Sequence, residues 1–141
     1  MLGFSAPALA QRVPPTDTDL GAAYCIRALH YEAQRYQAAV NGVQNDIAKV
    51  GPVRDPADTE RLDELKGLAR ETERKLRETQ ARLDRVMAFV TPKLAYLDPA
   101  PIVAAFAQAD ADIAGLGTKP VSQDITARFK PCEQLTWLPS Y

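Results

Sequence analysis

One histidine, two cysteines and one tryptophan leave this chain few side chains for chemistry. The lone histidine, His30, follows Cys25 by five residues, which on a helix is about 140° around the axis. A Cys–His nucleophile pair is therefore not supported. Cys25 and Cys132 form neither a CxxC pair nor a CxxCH haem-attachment motif. Without a cysteine cluster or a second histidine, zinc lacks ligands. The serines, at positions 5, 122 and 140, sit in no nucleophile-elbow context. Charge of one sign is also missing. Lys plus Arg is 17 and Asp plus Glu is 18, a net charge of -1, so there is no global attraction to nucleic acid or to an anionic membrane. No apolar run approaches the roughly 20 residues that span a bilayer.

Two local motifs fail on inspection. Asp110-Ala111-Asp112 opens like a calcium loop, but the fifth position is Ala114 and the twelfth is Val121. Both aspartates are read as exposed helix residues. Gly115-Leu116-Gly117-Thr118-Lys119 follows a helix rather than a strand, so it reads as a helix stop and not a phosphate loop. Arg70, Arg74, Arg77, Arg82 and Arg85 are interleaved with acids and have no aromatic residue among them for base stacking. The sequence therefore assigns no catalytic residue, no metal site and no cofactor. It reads as a protein that is not an enzyme and does not bind nucleic acid.

The first informative stretch is MLGFSAPALAQ. Ala8-Leu9-Ala10 places small residues where a signal peptidase reads them, and Gln11 would be the new N-terminus. A basic n-region is missing and the apolar part is short. Residues 1–10 are thus expected to be the end of a longer secretory signal, and 11–141 a single domain. Two cysteines behind such a segment suit one structural disulfide, Cys25–Cys132, in a periplasmic or secreted protein.

Helical periodicity dominates the rest of the chain. Thr16 and Asp19 fit a capping box with Asp in place of Glu, so helix 1 should cover about 17–50. Ala22, Ile26, Leu29, Ala33, Tyr36, Val40, Val43, Ile47 and Val50 recur at alternating spacings of 4 and 3. This is a heptad seam. Gly51-Pro52 stops it. Asp55-Pro56 restarts a helix over about 56–91, with a second seam at Leu62, Leu65, Ala69, Thr72, Leu76, Thr79, Leu83, Val86 and Val90. Two seams joined by a short loop predict a long antiparallel coiled-coil hairpin. Its register brings Ile47 near Leu65, Ala33 near Thr79 and Ile26 near Val86. Outside the seam, residues 60–85 are almost all charged, and Glu71–Lys75, Glu73–Arg77 and Glu78–Arg82 are spaced as i, i+4 pairs on a solvated face.

The base of the hairpin is greasier. Tyr24, Ala28 and Tyr31 form a second stripe on helix 1, and Met87 and Phe89 flank the seam on helix 2. The expected cover is a short third helix at about 99–114, started by Asp98-Pro99 and carrying Ile102, Val103, Phe106, Ala109 and Ile113. An irregular apolar tail, 115–141, completes it and places Cys132 near Cys25. Trp137 has two readings: packing on the base, or an exposed anchor for a partner. The fold class is all-α, a two-helix hairpin with a third helix and a packed tail. The expected function is protein–protein interaction, as scaffold, adaptor or chaperone-like module, with the hairpin also offering a route to oligomerisation. The alternative is a small-ligand carrier with a pocket at the hairpin base.

Overall fold

The computed structural model describes residues 12–139. Residues 1–10, expected to be a signal remnant, lie outside that range. Among the described residues the chain is helical: α1 (Asp17–Val50), α2 (Pro56–Val90), a 3-10 turn (Thr91–Lys93), α3 (Pro99–Gly115) and α4 (Gln123–Glu133). Among the described residues no helix is long and apolar enough to cross a membrane.

Each boundary has a local cause. The Asp19 amide donates to Thr16 Oγ1 (3.1 Å) and the Thr16 amide donates to Asp19 Oδ2 (2.9 Å), a reciprocal capping box that starts α1. Gly51, at φ 68°, ends it in the left-handed conformation that favours glycine. Asp55 accepts from the Asp58 amide (3.0 Å) at the start of α2, and Asp98 accepts from the Ala100 amide (3.2 Å) at the start of α3.

The chain packs as two compact units, which divide between Leu29 and His30 in α1 and between Ala81 and Arg82 in α2. The unit of residues 30–81 contains only the arms of α1 and α2 and the loop between them. Its predicted seam positions are the covered ones: Ala33, Val43, Leu65, Ala69, Thr72, Leu76 and Thr79 are buried, and Tyr36, Val40, Ile47, Val50 and Leu62 are partly so. The Gln44 amide reaches across to Glu73 (3.4 Å).

The other unit, the base, holds both apolar cores. The larger joins Ala22, Tyr24, Cys25, Ala28 and Leu29 of α1 to Val86, Phe89 and Val90 of α2, Ala109 of α3, and Cys132, Leu135 and Leu138. The smaller joins Ala23, Leu97 and Ile102. A strap closes it: Val13 accepts from the Asp98 amide (2.7 Å) and donates to the Tyr96 carbonyl (2.9 Å), which ties the lead-in to the segment between α2 and α3.

Four expectations need correction. The tail is not irregular throughout, because residues 123–133 form α4, capped by Ser122, which accepts from the Asp124 amide. Pro131 lies in its last turn, where losing one amide costs little of the helix. Ile125, Phe129 and Cys132 are spaced 4 and 3 and are its inward side chains. Val103 is 60% exposed, since the inward face of α3 is centred on Ile102, Phe106 and Ala109. Met87 is exposed, whereas Phe89 is buried. Asp112, read as exposed, is buried in an ion pair, while Asp110 is exposed.

Candidate functional site

The base is held by three devices built on different residues. The first is covalent. Cys25, in the third turn of α1, and Cys132, near the end of α4, form a disulfide with Cα atoms 5.4 Å apart. Both are buried. Among the described residues no free cysteine remains.

The second is a polar knot around Asp112 of α3. Arg128 of α4 grips the carboxylate with two donors, Nε at 2.7 Å and Nη2 at 2.8 Å. Such forked pairs fix geometry as well as adding energy. The Tyr24 hydroxyl of α1 donates to the same carboxylate at 2.6 Å, and the Gln108 amide donates at 2.9 Å. One side chain thus ties three helices together. The Arg128 guanidinium, helped by Tyr24 and Gln108, overcomes the effect of burial and lowers the Asp112 pKa to about 2. Burial, followed by the hydrogen bond to Asp112, pushes the Tyr24 phenol well above its ordinary value. At neutral pH the carboxylate is ionised and the phenol protonated. No member is poised to exchange a proton there, so the knot suits a structural role better than acid–base work.

The third device is at the start of α1. Asp19 is buried, and burial raises its carboxyl pKa. The Thr16 amide, Lys93 and the Thr16 hydroxyl outweigh that and leave the pKa lowered. Lys93 Nζ sits 3.2 Å from Asp19 and 3.7 Å above the centre of the Phe89 ring. It therefore meets a carboxylate and an aromatic face together.

Trp137 packs beside the larger core, and its indole N–H donates to the Pro131 carbonyl at 2.7 Å. A Cβ on Gly21 would lie 3.5 Å from the ring, an ordinary contact distance. The ring is half-buried. His30 is exposed. Among the described residues no group of three or more His, Cys, Asp or Glu side chains could hold a metal ion.

The arms carry different surfaces. On α1, Gln34, Gln37, Asn41, Gln44 and Asn45 are exposed amides, and Gln37 donates to Asn41 (3.1 Å). On α2 the exposed face is ionic, and Arg74 bridges Glu71 and Glu78. Glu71 therefore has a partner three residues on, a spacing the i, i+4 reading did not include. Shallow depressions run along α2, one by Arg54, Asp55, Glu60 and Asp63, another by Gly67, Arg70, Arg74 and Arg77.

Sequence reasoning brought Cys25 and Cys132 together and missed the knot. Tyr24 reads as an apolar stripe member and Asp112 as a failed calcium ligand, and Arg128 stands in no motif. Only the Gln108–Asp112 spacing of four residues was a local signal. No protein-family model matches the chain, and no curated protein or solved structure is significantly similar to it.

Proposed function

We propose that this is an exported protein, periplasmic or secreted, that acts by binding other proteins as a scaffold, adaptor or chaperone-like module. The observation that carries the reading is the contrast between the two units. The base is filled by its own side chains, with Ala22, Val86, Val90 and Ala109 fully covered, and is closed by a disulfide. The arm unit buries one seam and has no further element of its own to cover its outer faces. A two-helix seam uses a narrow stripe of each helix and leaves the rest as surface. The buried disulfide supports an oxidising compartment, and Ala8-Leu9-Ala10 supplies the export expectation. Trp137, with part of its ring at the surface, is a second candidate contact.

The test is a comparison of partners. Full-length protein and a variant shortened by one heptad in each arm are recovered from the native host, and bound proteins and small molecules are identified by mass spectrometry. The expected result is a protein partner that the shortened, still folded variant loses. A small molecule held equally by both would overturn this reading in favour of a carrier. Intact mass, with Gln11 as the first residue, checks export.

A further inference from the structure

Helix α4 docks on the base with little apolar burial of its own. Of its 11 residues only Cys132 is buried, and Ile125 and Phe129 are half-covered. Leu135 and Leu138 are buried, but they follow the helix rather than belong to it. A helix this short is marginal when undocked. Before any crosslink exists, the direction and register of α4 must come from something more specific than its apolar face. The polar knot around Asp112 supplies both.

The knot and the disulfide are built on neighbouring residues. Tyr24 directly precedes Cys25 on α1, and Arg128 lies about one helical turn before Cys132 on α4. Asp112 of α3 accepts from the Tyr24 hydroxyl at 2.6 Å and from the Arg128 fork at 2.7 and 2.8 Å. The Tyr24 and Phe129 rings also meet, with centroids 5.8 Å apart. A fork of two donors fixes the angle of approach as well as the distance. The Cα atoms of the two cysteines are thereby 5.4 Å apart. A slip of α4 by one turn, about 5.4 Å, is enough to carry them beyond the roughly 7 Å that a disulfide spans.

We propose that residues 123–138 form a redox-locked latch, which the Tyr24–Asp112–Arg128 knot closes over the base and the Cys25–Cys132 bond then locks. In the dithiol form the latch is held by the knot and by Leu135 and Leu138, and it opens locally. In the oxidised form both sulfurs are buried, so a reductant must wait for the segment to lift. Locking is a thiol–disulfide exchange. Cys25 and Cys132 give two protons and two electrons to one glutathione disulfide, a bond forms between their sulfurs, and two glutathione thiols leave. The coupling is reciprocal: whatever the knot adds to closure of the bond, the bond adds to the knot. The latch is independent of the protein-binding function proposed for the chain.

Equilibration of the full chain with mixtures of reduced and oxidised glutathione tests the proposal, with dithiol and disulfide protein counted by alkylation and intact mass. The ratio gives the effective concentration of one cysteine thiol at the other. Asp112→Asn and Arg128→Gln should each lower it about fivefold or more, because each breaks charge-assisted bonds. Combined, they should lower it no further than the worse single variant, since both break one network. Tyr24→Phe removes a single hydroxyl and should lower it about threefold, and it decides the matter alone if a charge variant misfolds. Ala33→Leu lies in the arm seam and should leave the effective concentration unchanged while lowering overall stability. That control separates keying of the latch from general weakening. Reduction of the folded protein by dithiothreitol should also quicken in Tyr24→Phe. An effective concentration that Tyr24→Phe and the charge variants leave unchanged, an equal fall with Ala33→Leu, or additive losses in the combined variant would overturn the proposal.

Discussion

Replacing Cys25 and Cys132 together by alanine removes a crosslink without removing the other contacts of α4. Arg128 still holds Asp112, and Leu135 and Leu138 remain buried. The loss therefore falls on the unfolded chain, which gains the freedom of a loop spanning a sequence separation of 107. For that length the chain-entropy relation gives about 4.8 kcal/mol at 25 °C, an upper figure. Domains of this size have total stabilities of roughly 5–15 kcal/mol, so the variant should remain folded but with little margin. Urea titration followed by circular dichroism measures the loss. The midpoint should fall, and the slope should rise because the uncrosslinked unfolded chain exposes more surface. Hydrogen exchange then locates the weakening. Amides of residues 123–138 should exchange faster first, while α1 and α2 stay protected. A loss under about 1 kcal/mol, or deprotection that begins in the arms, would refute the argument that the bond pins α4.

Asp112→Asn should cost about 1–3 kcal/mol in the same titration, since an amide cannot accept all four hydrogen bonds and leaves a donor facing donors. The Asp112 carboxyl has a lower pKa folded than unfolded, so its contribution is fully present above about pH 5 and is lost as pH falls toward 2. Discounted for the exposure of Arg128, that contribution is about 1 kcal/mol, and Asp112→Asn should flatten the acid limb of a plot of stability against pH. Ala33→Leu should lower stability by about 1–3 kcal/mol, because a buried small residue in the seam has no room for three more carbons. Removing one heptad from each arm at the loop should leave a single cooperative melt, and loss of folding would mean that the loop is needed for packing.

The helices and their ends were legible because local chemistry sets them. Thr16, Asp55 and Asp98 cap with their own side chains, and Gly51 supplies the one positive φ among the described glycines. The seam was legible because a period of seven repeats often enough in each helix to stand out from chance. What escaped was non-local or ambiguous. The strap between Val13 and Leu97 joins residues 84 apart through backbone atoms, which carry no sequence signature. The partners of Asp112 come from three helices, and an aspartate in a short amphipathic segment is usually solvated. Helix α4 escaped because Pro131 argues against a helix when read alone, although in the final turn it removes only one hydrogen bond. Val103 and Met87 are the reverse case: both are hydrophobic and both are exposed, because hydrophobicity alone does not imply burial.

The disulfide also changes what a cut in the backbone means. Its two sulfurs lie on opposite sides of the loop that joins α1 to α2, one in each half of the chain. A single nick between Gly51 and Asp55 would therefore give two chains that stay covalently joined, like the halves of a processed hormone. The connecting loop is then unnecessary for integrity once oxidation is complete. Such a nicked molecule should run as one species without reductant and as two with it. Each half would then be open to separate replacement or labelling before the pair is rejoined through its cysteines.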